Sequence, residues 1–192
     1  MRLLLAICVA LLPPRAAAQV RPATQSFAID PTQSEVQFSV RKFWFAHVRG
    51  TFPGLSGSLR RIDTPVGEGL GVVAATLVVD RLVMDAAGDR AHALGPDFFD
   101  AAAFPGITFD SDPFPLTLLV PGGRLRGMLA LHGERQPVAL DLQPSACPRQ
   151  PLACAIRVRG TIARSRFGIR GWRGVLSSEV ELDLRIRLRG AP

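Results

Sequence analysis

The segment from Pro96 to Phe109 carries four phenylalanines, two of them adjacent, in a stretch without the alternation of a strand. Aromatic side chains have large apolar surfaces, and the folded state is stabilised when these surfaces are removed from water. The segment is too short to build a core of its own. We therefore predict that it is a plug, packed against the apolar interior of a structure made of strands.

The rest of the chain is dominated by residues that alternate between apolar and charged. The last run is the clearest: apolar side chains occupy positions 180, 182, 184, 186 and 188, and charged ones positions 179, 181, 183, 185, 187 and 189. A period of two places one face in a core and the other in water. Similar runs, separated by glycine and proline turns, predict a single all-β domain of about eight antiparallel strands, a barrel or a sandwich. The charged face differs from the apolar band of a barrel embedded in lipid.

One run breaks the alternation. Residues 71–79 are apolar at both parities, which predicts a strand covered on both faces.

The N-terminus has the pattern of a secretory signal peptide. Arg2 precedes an apolar run from Leu3 to Leu12, and Ala16–Ala18 supplies small residues for cleavage. Cys8 follows Ile7, which is a poor residue before a lipidated cysteine. We expect cleavage after Ala18, a polar lead over residues 19–25, a folded domain over residues 26–190, and a periplasmic or secreted protein.

Two cysteines, Cys147 and Cys154, lie beyond the predicted signal peptide. In an oxidising compartment they are expected to pair and to stabilise a short loop by about 2–3 kcal/mol. A metal or redox pair is the alternative. It is disfavoured because the spacing is not Cys-x-x-Cys and no histidine is adjacent.

Aromatic and basic residues outside the plug suggest surface contacts. Phe43, Trp44 and Phe45 are consecutive, so they cannot all face inward in a strand. At least one is expected at a cavity mouth or on the surface, where it contacts a membrane transiently or packs on a loop. Residues 164–173 combine four arginines with Phe167 and Trp172, a pattern also found in nucleic-acid patches. Export makes nucleic acid an unsuitable partner.

The sequence offers little chemistry for catalysis. His47, His92 and His132 lack metal-ligand spacing, and neither a Gly-x-Ser-x-Gly elbow nor a phosphate loop occurs. We predict a protein that is not an enzyme, has no metal and needs no cofactor other than a bound lipid. An alternative is a pair formed in space by His92 with Asp97 or Asp100.

Several blocks, in order along the chain, resemble the YceI-like family of exported, lipocalin-like, polyisoprenoid-binding proteins. They are residues 27–30, 34–40, 48–52, 54–57, 89–92, 97–100, 104–109, 129–133, 137–140 and 164–169. The chain departs from the family at Gln33 and Lys42, where histidine is frequent, and at Asp89-Arg90, where Arg-Asp is frequent.

The resemblance implies a lipocalin-like barrel around a long apolar channel, with a plug at residues 89–104 and a polyisoprenoid, quinone or similar lipid inside. The expected wall residues are Phe38, Val40, Phe52, Leu77, Phe98, Phe99, Phe109, Leu129 and Leu131. The expected contacts to a polar head group are Arg90, His92, Arg164 and Arg166. Each wall residue can equally be ordinary core. The rival functions are an enzyme acting on a lipid in the same cavity and an envelope structural protein with a filled interior. The sequence leaves both monomer and homodimer open.

Overall fold

The computed structural model describes residues 24–64 and 69–190. The predicted signal peptide lies outside these residues, as does most of the predicted lead. The described chain forms eleven strands: β1 (Thr24–Ala28), β2 (Glu35–Lys42), β3 (Ala46–Pro53), β4 (Ser56–Asp63), β5 (Gly69–Val78), β6 (Gly106–Ser111), β7 (Phe114–Pro115), β8 (Gly123–Leu131), β9 (Glu134–Leu142), β10 (Ile156–Ala163) and β11 (Leu176–Ile186). The helices are α1 (Ala87–Leu94) and three 3-10 turns at Val79–Arg81, Leu116–Leu119 and Arg164–Phe167.

All strand pairs are antiparallel and belong to one curled sheet. Its order is β1-β4-β5-β6-β8-β9-β10-β11-β2-β3, with β7 paired to β5. Just beyond β1, Ile29 bridges to Leu188 after β11, and this contact draws the two sides of the sheet together at one end. The predicted all-β, lipocalin-like class is confirmed. The strands outnumber the predicted eight because short pieces such as the two-residue β7 are too brief to show alternation.

The predicted plug is also confirmed, as the connection between β5 and β6. After α1 the chain folds back on the helix, because the amides of Phe99 and Ala101 donate to the carbonyls of Ala93 and Leu94. The Phe99 ring then meets Phe52 of β3 edge to face, with centroids 5.3 Å apart. The plug therefore packs on the inner face of the sheet, close to its β3 edge.

The outer face of β5 differs from the expectation. Leu77 is buried, but the next side chain, Val78, is 44% exposed. The segment after β5 packs on the inner core through Leu82 and leaves the outer face uncovered at this end of the strand, whereas Val72 and Ala74 are partly buried.

A loop closed by a disulfide covers the end of the barrel away from α1. Cys147 and Cys154 are bonded, with their Cα atoms 5.9 Å apart. Leu152 packs against a core cluster, and Arg187 donates to the Ala153 carbonyl. The loop is thereby fixed to the end of the sheet. Within the described residues, no helix combines the length and apolar composition needed to cross a membrane.

A buried carboxylate fixes the chain where β1 passes toward β2. Asp30 accepts hydrogen bonds from the backbone and hydroxyl of Thr32, from Gln33 and from Arg189. The two hydrogen bonds from Thr32 have the largest effect and lower the pKa of Asp30 from 3.8 to about 2; burial opposes them, and the bonds from Gln33 and Arg189 add smaller effects in the lowering direction. Asp30 therefore ties this turn to the end of β11 as a carboxylate.

We expect Asp30→Asn to lower stability at neutral pH and to lose this effect in acid. Since the folded-state pKa lies below the unfolded value, the carboxylate contributes fully above pH 4 and progressively less as pH falls toward 2. Urea unfolding of both proteins across this range measures the difference. Asp112→Asn, at an exposed position, is the control. A difference that stays constant across that range would contradict the assignment.

Candidate functional site: an apolar cavity inside the curled sheet

The interior of the sheet is not filled by its own side chains. A cavity of about 210 Å³ lies between the three core clusters and takes its walls from all of them. Leu142 and Val158 belong to the cluster nearest the disulfide loop, Phe52 and Leu77 to the second, and Val180 to the third. The cavity therefore extends past all three clusters rather than lying within one of them.

The shape of the cavity follows from β11. Leu176 lines the wall, and so, beyond an irregularity in the strand, do alternate residues from Val180 to Leu188. The twelve steps from Leu176 to Leu188 cover at most about 40 Å of extended chain at ~3.3 Å each, and the coiling of the strand shortens the channel itself. A long, narrow space of this kind suits a flexible chain better than a bulky ring system.

All nine apolar side chains predicted for the wall lie on it. They are Phe38, Val40, Phe52, Leu77, Phe98, Phe99, Phe109, Leu129 and Leu131. The plug supplies Phe98 and Phe99, and the inward parity of five strands supplies the others. Ligand contact by these residues remains a prediction, but the structure does bring them together.

The mouth of the cavity lies between α1 and the loop at residues 170–175. Two side chains of the wall, His92 on α1 and Trp172 in that loop, are exposed there. Their rings are 5.5 Å apart, and Phe98 meets Trp172 edge to face at 5.8 Å. Asp89 also lines this end. The mouth is thus aromatic with a few polar groups, the arrangement expected around the head of an amphipathic ligand.

Glycines let aromatic rings of the wall lie flat on neighbouring strands. Gly50 pairs with Phe38, and a Cβ at Gly50 would be 2.5 Å from two atoms of that ring. Gly127 pairs with Ser111 rather than with Phe109, but a Cβ there would likewise lie 2.7 Å from the Phe109 ring, and it would also meet the Asp110 carbonyl. These two rings affect the width of the cavity. Because each glycine has no side chain, the ring beside it can lie close to the sheet instead of extending into the cavity.

We expect Gly50→Ala to destabilise the protein by about 1–3 kcal/mol, the usual cost of overpacking. The added methyl group displaces the Phe38 ring toward the cavity, because Leu82 blocks the Cβ at 3.1 Å as well. Thermal unfolding measures this cost. Gly88→Ala is the matched control: its Cβ meets nothing within 4 Å, so it should be neutral or stabilising by up to ~1 kcal/mol. Equal effects of the two substitutions would refute the close approach.

Arg164 lines the cavity, but backbone carbonyls hold its guanidinium. It is buried and donates to Gly171, Leu176 and Ser177. Burial lowers the pKa of Arg164, and the nearby charge of Arg173 lowers it further. Arg164 therefore fixes the loop that carries Trp172, and only its remaining N–H groups are available to a ligand.

The other two predicted arginines lie away from the cavity wall. Arg90 donates to the carbonyls of Leu82 and Asp80, which holds α1 against the segment after β5. Arg166 points outward and donates to Gln136 on β9. The structure therefore does not bring Arg90 and Arg166 together with His92 at the mouth.

His92 is oriented by its own helix. Its Nδ1–H donates to the Gly88 carbonyl at 2.7 Å, and its ring faces Trp172. The geometry gives His92 a place at the mouth, next to the tryptophan. Among the described residues, His92 forms no hydrogen bond to Asp97 or Asp100. The alternative of a carboxylate–histidine pair therefore gains no support.

Sequence reasoning missed several residues of the wall. In the sequence, Trp172 stands among arginines and resembles part of a basic patch, and its aromatic character is the signal for a place at the mouth. Ala75 and Val48 gave no signal, because small apolar side chains are common at every inward strand position. Leu182 and Leu184 were identifiable from the alternation of β11, which places them on the inner face.

Comparison with known proteins agrees with this architecture. A family profile described as the YceI-like domain matches residues 27–188. A search of curated protein sequences finds no significant match.

Solved structures of low sequence identity share the fold. Burkholderia cenocepacia BcnA is 20% identical, with a TM-score of 0.64, over 82% of this chain and 98% of that one. A polyisoprenoid binding domain from Saccharophagus degradans is 18% identical, with a TM-score of 0.60, over 83% of this chain and 95% of its own. A YceI protein from Campylobacter jejuni is 18% identical, with a TM-score of 0.55, over 77% and 88%. The profile covers most of the chain and every strand from β2 to β11, and the chain belongs to the YceI-like family.

Proposed function

We propose that the protein binds one long hydrophobic chain molecule, a polyisoprenoid, prenyl quinone or similar lipid, in the cavity of the sheet. The observation that carries the proposal is the void of about 210 Å³ bounded by inward apolar side chains of all three core clusters. A protein with a purely structural role is expected to close such a space, because an apolar void forfeits packing contacts.

The energetics favour a chain ligand. Each methylene group removed from water contributes about 0.8 kcal/mol, so a tail gains affinity without polar contacts. The mouth then receives the head group near His92, Asp89 and Trp172. The similarity in fold to a polyisoprenoid binding domain of another organism is in keeping with this ligand class.

We further propose that the protein is exported and that it sequesters or carries its ligand rather than converting it. The apolar run of the N-terminus and the bond between Cys147 and Cys154 support export. The intact mass of the protein from the periplasm or medium should correspond to a chain that begins at Gln19, with or without cyclisation of that residue. A first residue at Met1 would contradict cleavage.

Titration with a long-tailed prenyl quinone tests the binding proposal. The quinone head should quench Trp172, which lines the mouth, so a Trp44→Phe protein reports this tryptophan alone. We expect saturation at one quinone per chain. The same head group without its tail is the control, and it should bind at least about 100-fold more weakly because the apolar term is absent. Equal affinities for the two compounds would place the binding outside the cavity.

A further inference from the structure

The turn between β2 and β3 presents an unusual surface, which we call the aromatic tip: Phe43, Trp44 and Phe45. Their side chains are 47%, 88% and 79% exposed, so all three project into solvent. The Phe43 and Phe45 rings stack with centroids 6.4 Å apart. Exposed aromatics in one contiguous group mark an interaction surface rather than a core.

The aromatic tip is fixed in position and continuous with the cavity mouth. The amide of Phe43 donates to the Val175 carbonyl at 2.7 Å, which joins the turn to the loop that carries Trp172. The Lys42 ammonium lies over the Trp172 ring, 5.6 Å from its centroid. Since Trp172 also lines the cavity, an aromatic surface leads from the tip to the mouth.

The two chain segments that carry the tip and the neighbouring loop are basic. Residues 41–50 and 170–176 contain Arg41, Lys42, Arg49, Arg170 and Arg173 but no acidic residue. Among the described residues, none of these five cations forms an ion pair. The arginines of the barrel wall differ, because Arg124 and Arg159 pair with aspartates on neighbouring strands.

We propose that the aromatic tip and these cations form a docking surface for a lipid bilayer with anionic head groups. Tryptophan and phenylalanine are favourable at the interface between head groups and acyl chains, and unpaired arginines are attracted to anionic lipids. A protein partner would need an acidic, apolar groove to match the same surface. The bilayer offers both features over any area, and it is also the source of a water-insoluble ligand.

Docking by this surface places the cavity mouth beside the bilayer, since Lys42 of the surface lies over Trp172 of the mouth. A chain lipid then passes between membrane and cavity without crossing water. The docking itself is independent of the proposed function, whereas the transfer of ligand rests on it. The two are tested by different measurements below.

Tryptophan fluorescence tests the docking directly, because the chain has only two tryptophans, Trp44 in the tip and Trp172 beside it, under Lys42. In the Trp172→Phe protein, emission comes from Trp44 alone. We expect a blue shift on addition of vesicles of phosphatidylcholine and phosphatidylglycerol in equal parts, and quenching by brominated acyl chains. Emission that does not change with these vesicles would overturn the proposal.

Flotation with the same vesicles identifies the residues involved. The Trp44→Ala/Phe45→Ala protein should bind at least about tenfold more weakly than the wild type. Val120→Ala removes an exposed apolar side chain from the opposite end and should not alter binding. Equal loss in both variants would contradict a specific tip.

Charge variants separate anionic attraction from apolar contact. The Arg41→Gln/Arg173→Gln protein should bind the anionic vesicles more weakly than the wild type. The affinity of this variant should also depend less on salt concentration. The matched control is Arg157→Gln/Arg185→Gln, which removes two arginines that face each other on β10 and β11. This variant should keep both the affinity and the salt dependence of the wild type. If the wild type fails to bind vesicles but forms a dimer that the tip variant abolishes, the surface joins two copies and the proposal is wrong.

Transfer is measured separately from docking. The tip variant should take up a prenyl quinone supplied in solution as a soluble cyclodextrin complex as the wild type does, but should extract it from vesicles more slowly. Loss of uptake from solution in the wild type would refute the proposed ligand and leave the docking result unaffected. Equal extraction rates for variant and wild type would overturn the role of docking in transfer.

Discussion

Ala75→Phe should abolish most of the affinity for a long-chain ligand. Ala75 lies on β5 and lines the cavity, where it packs against the cluster that contains Phe52 and Leu77. A ring at this position occupies space that the chain would use. If it displaces four carbon atoms, the loss is about 3 kcal/mol at ~0.8 kcal/mol per methylene, or roughly 100-fold in affinity.

The same substitution should leave the free energy of unfolding unchanged or increase it, because it fills a void. This combination distinguishes a binding cavity from a filled core, in which overpacking costs about 1–3 kcal/mol. Ala74→Phe, one residue earlier on β5 and outside the cavity wall, is the matched control and should bind normally. Titration with a prenyl quinone and urea unfolding provide the two readings. Destabilisation without loss of affinity would contradict the account of the cavity.

Arg164→Ala should be the most destabilising of the substitutions considered, at about 3 kcal/mol or more. The guanidinium supplies hydrogen bonds to the carbonyls of Gly171, Leu176 and Ser177. Its removal leaves these acceptors without their donor, and each such loss in a buried place costs about 1–3 kcal/mol. The loop with Trp172 should then lose its fixed position at the mouth.

Urea unfolding and Trp172 emission in a Trp44→Phe background measure the two effects of this substitution. Arg164→Lys keeps a charge but cannot reach three carbonyls with a fork of donors, so its loss should be intermediate. Arg166→Ala, which removes one outward bond to Gln136, should cost no more than ~0.5 kcal/mol. Similar losses at positions 164 and 166 would show that the buried bonds carry little energy.

The parts of the fold that the sequence predicted are those with a strong local pattern. The alternation of β11 identifies its inner face, since each inward side chain is followed by an outward charge. The density of phenylalanines identifies the plug, because the only stable place for Phe98 and Phe99 is against other apolar side chains. Spacing and expected compartment were enough to pair Cys147 with Cys154.

The features that could not be predicted depend on contacts between distant segments. Arg90 and Arg164 look alike in the sequence, yet the first holds α1 from outside and the second is buried beneath the loop of Trp172. Nothing local distinguishes them, because their acceptors are backbone carbonyls that any residue can provide. Val78 is exposed for a related reason: the path of the following segment decides which face of β5 is covered.

The aromatic tip lies between these cases. The period of a strand showed that Phe43, Trp44 and Phe45 could not all face inward. That all three face outward follows from the turn itself, in which Phe43 adopts a positive φ of 53° and its amide is bound to Val175.

Mass spectrometry of an organic extract of the purified protein tests the central claim most directly. If the cavity is a binding site, the protein taken from its native cells under native conditions should release about one long-chain isoprenoid or related lipid per chain, and the stripped protein should take up an added prenyl lipid in the same ratio. A clean extract, together with no uptake on titration, would contradict the account.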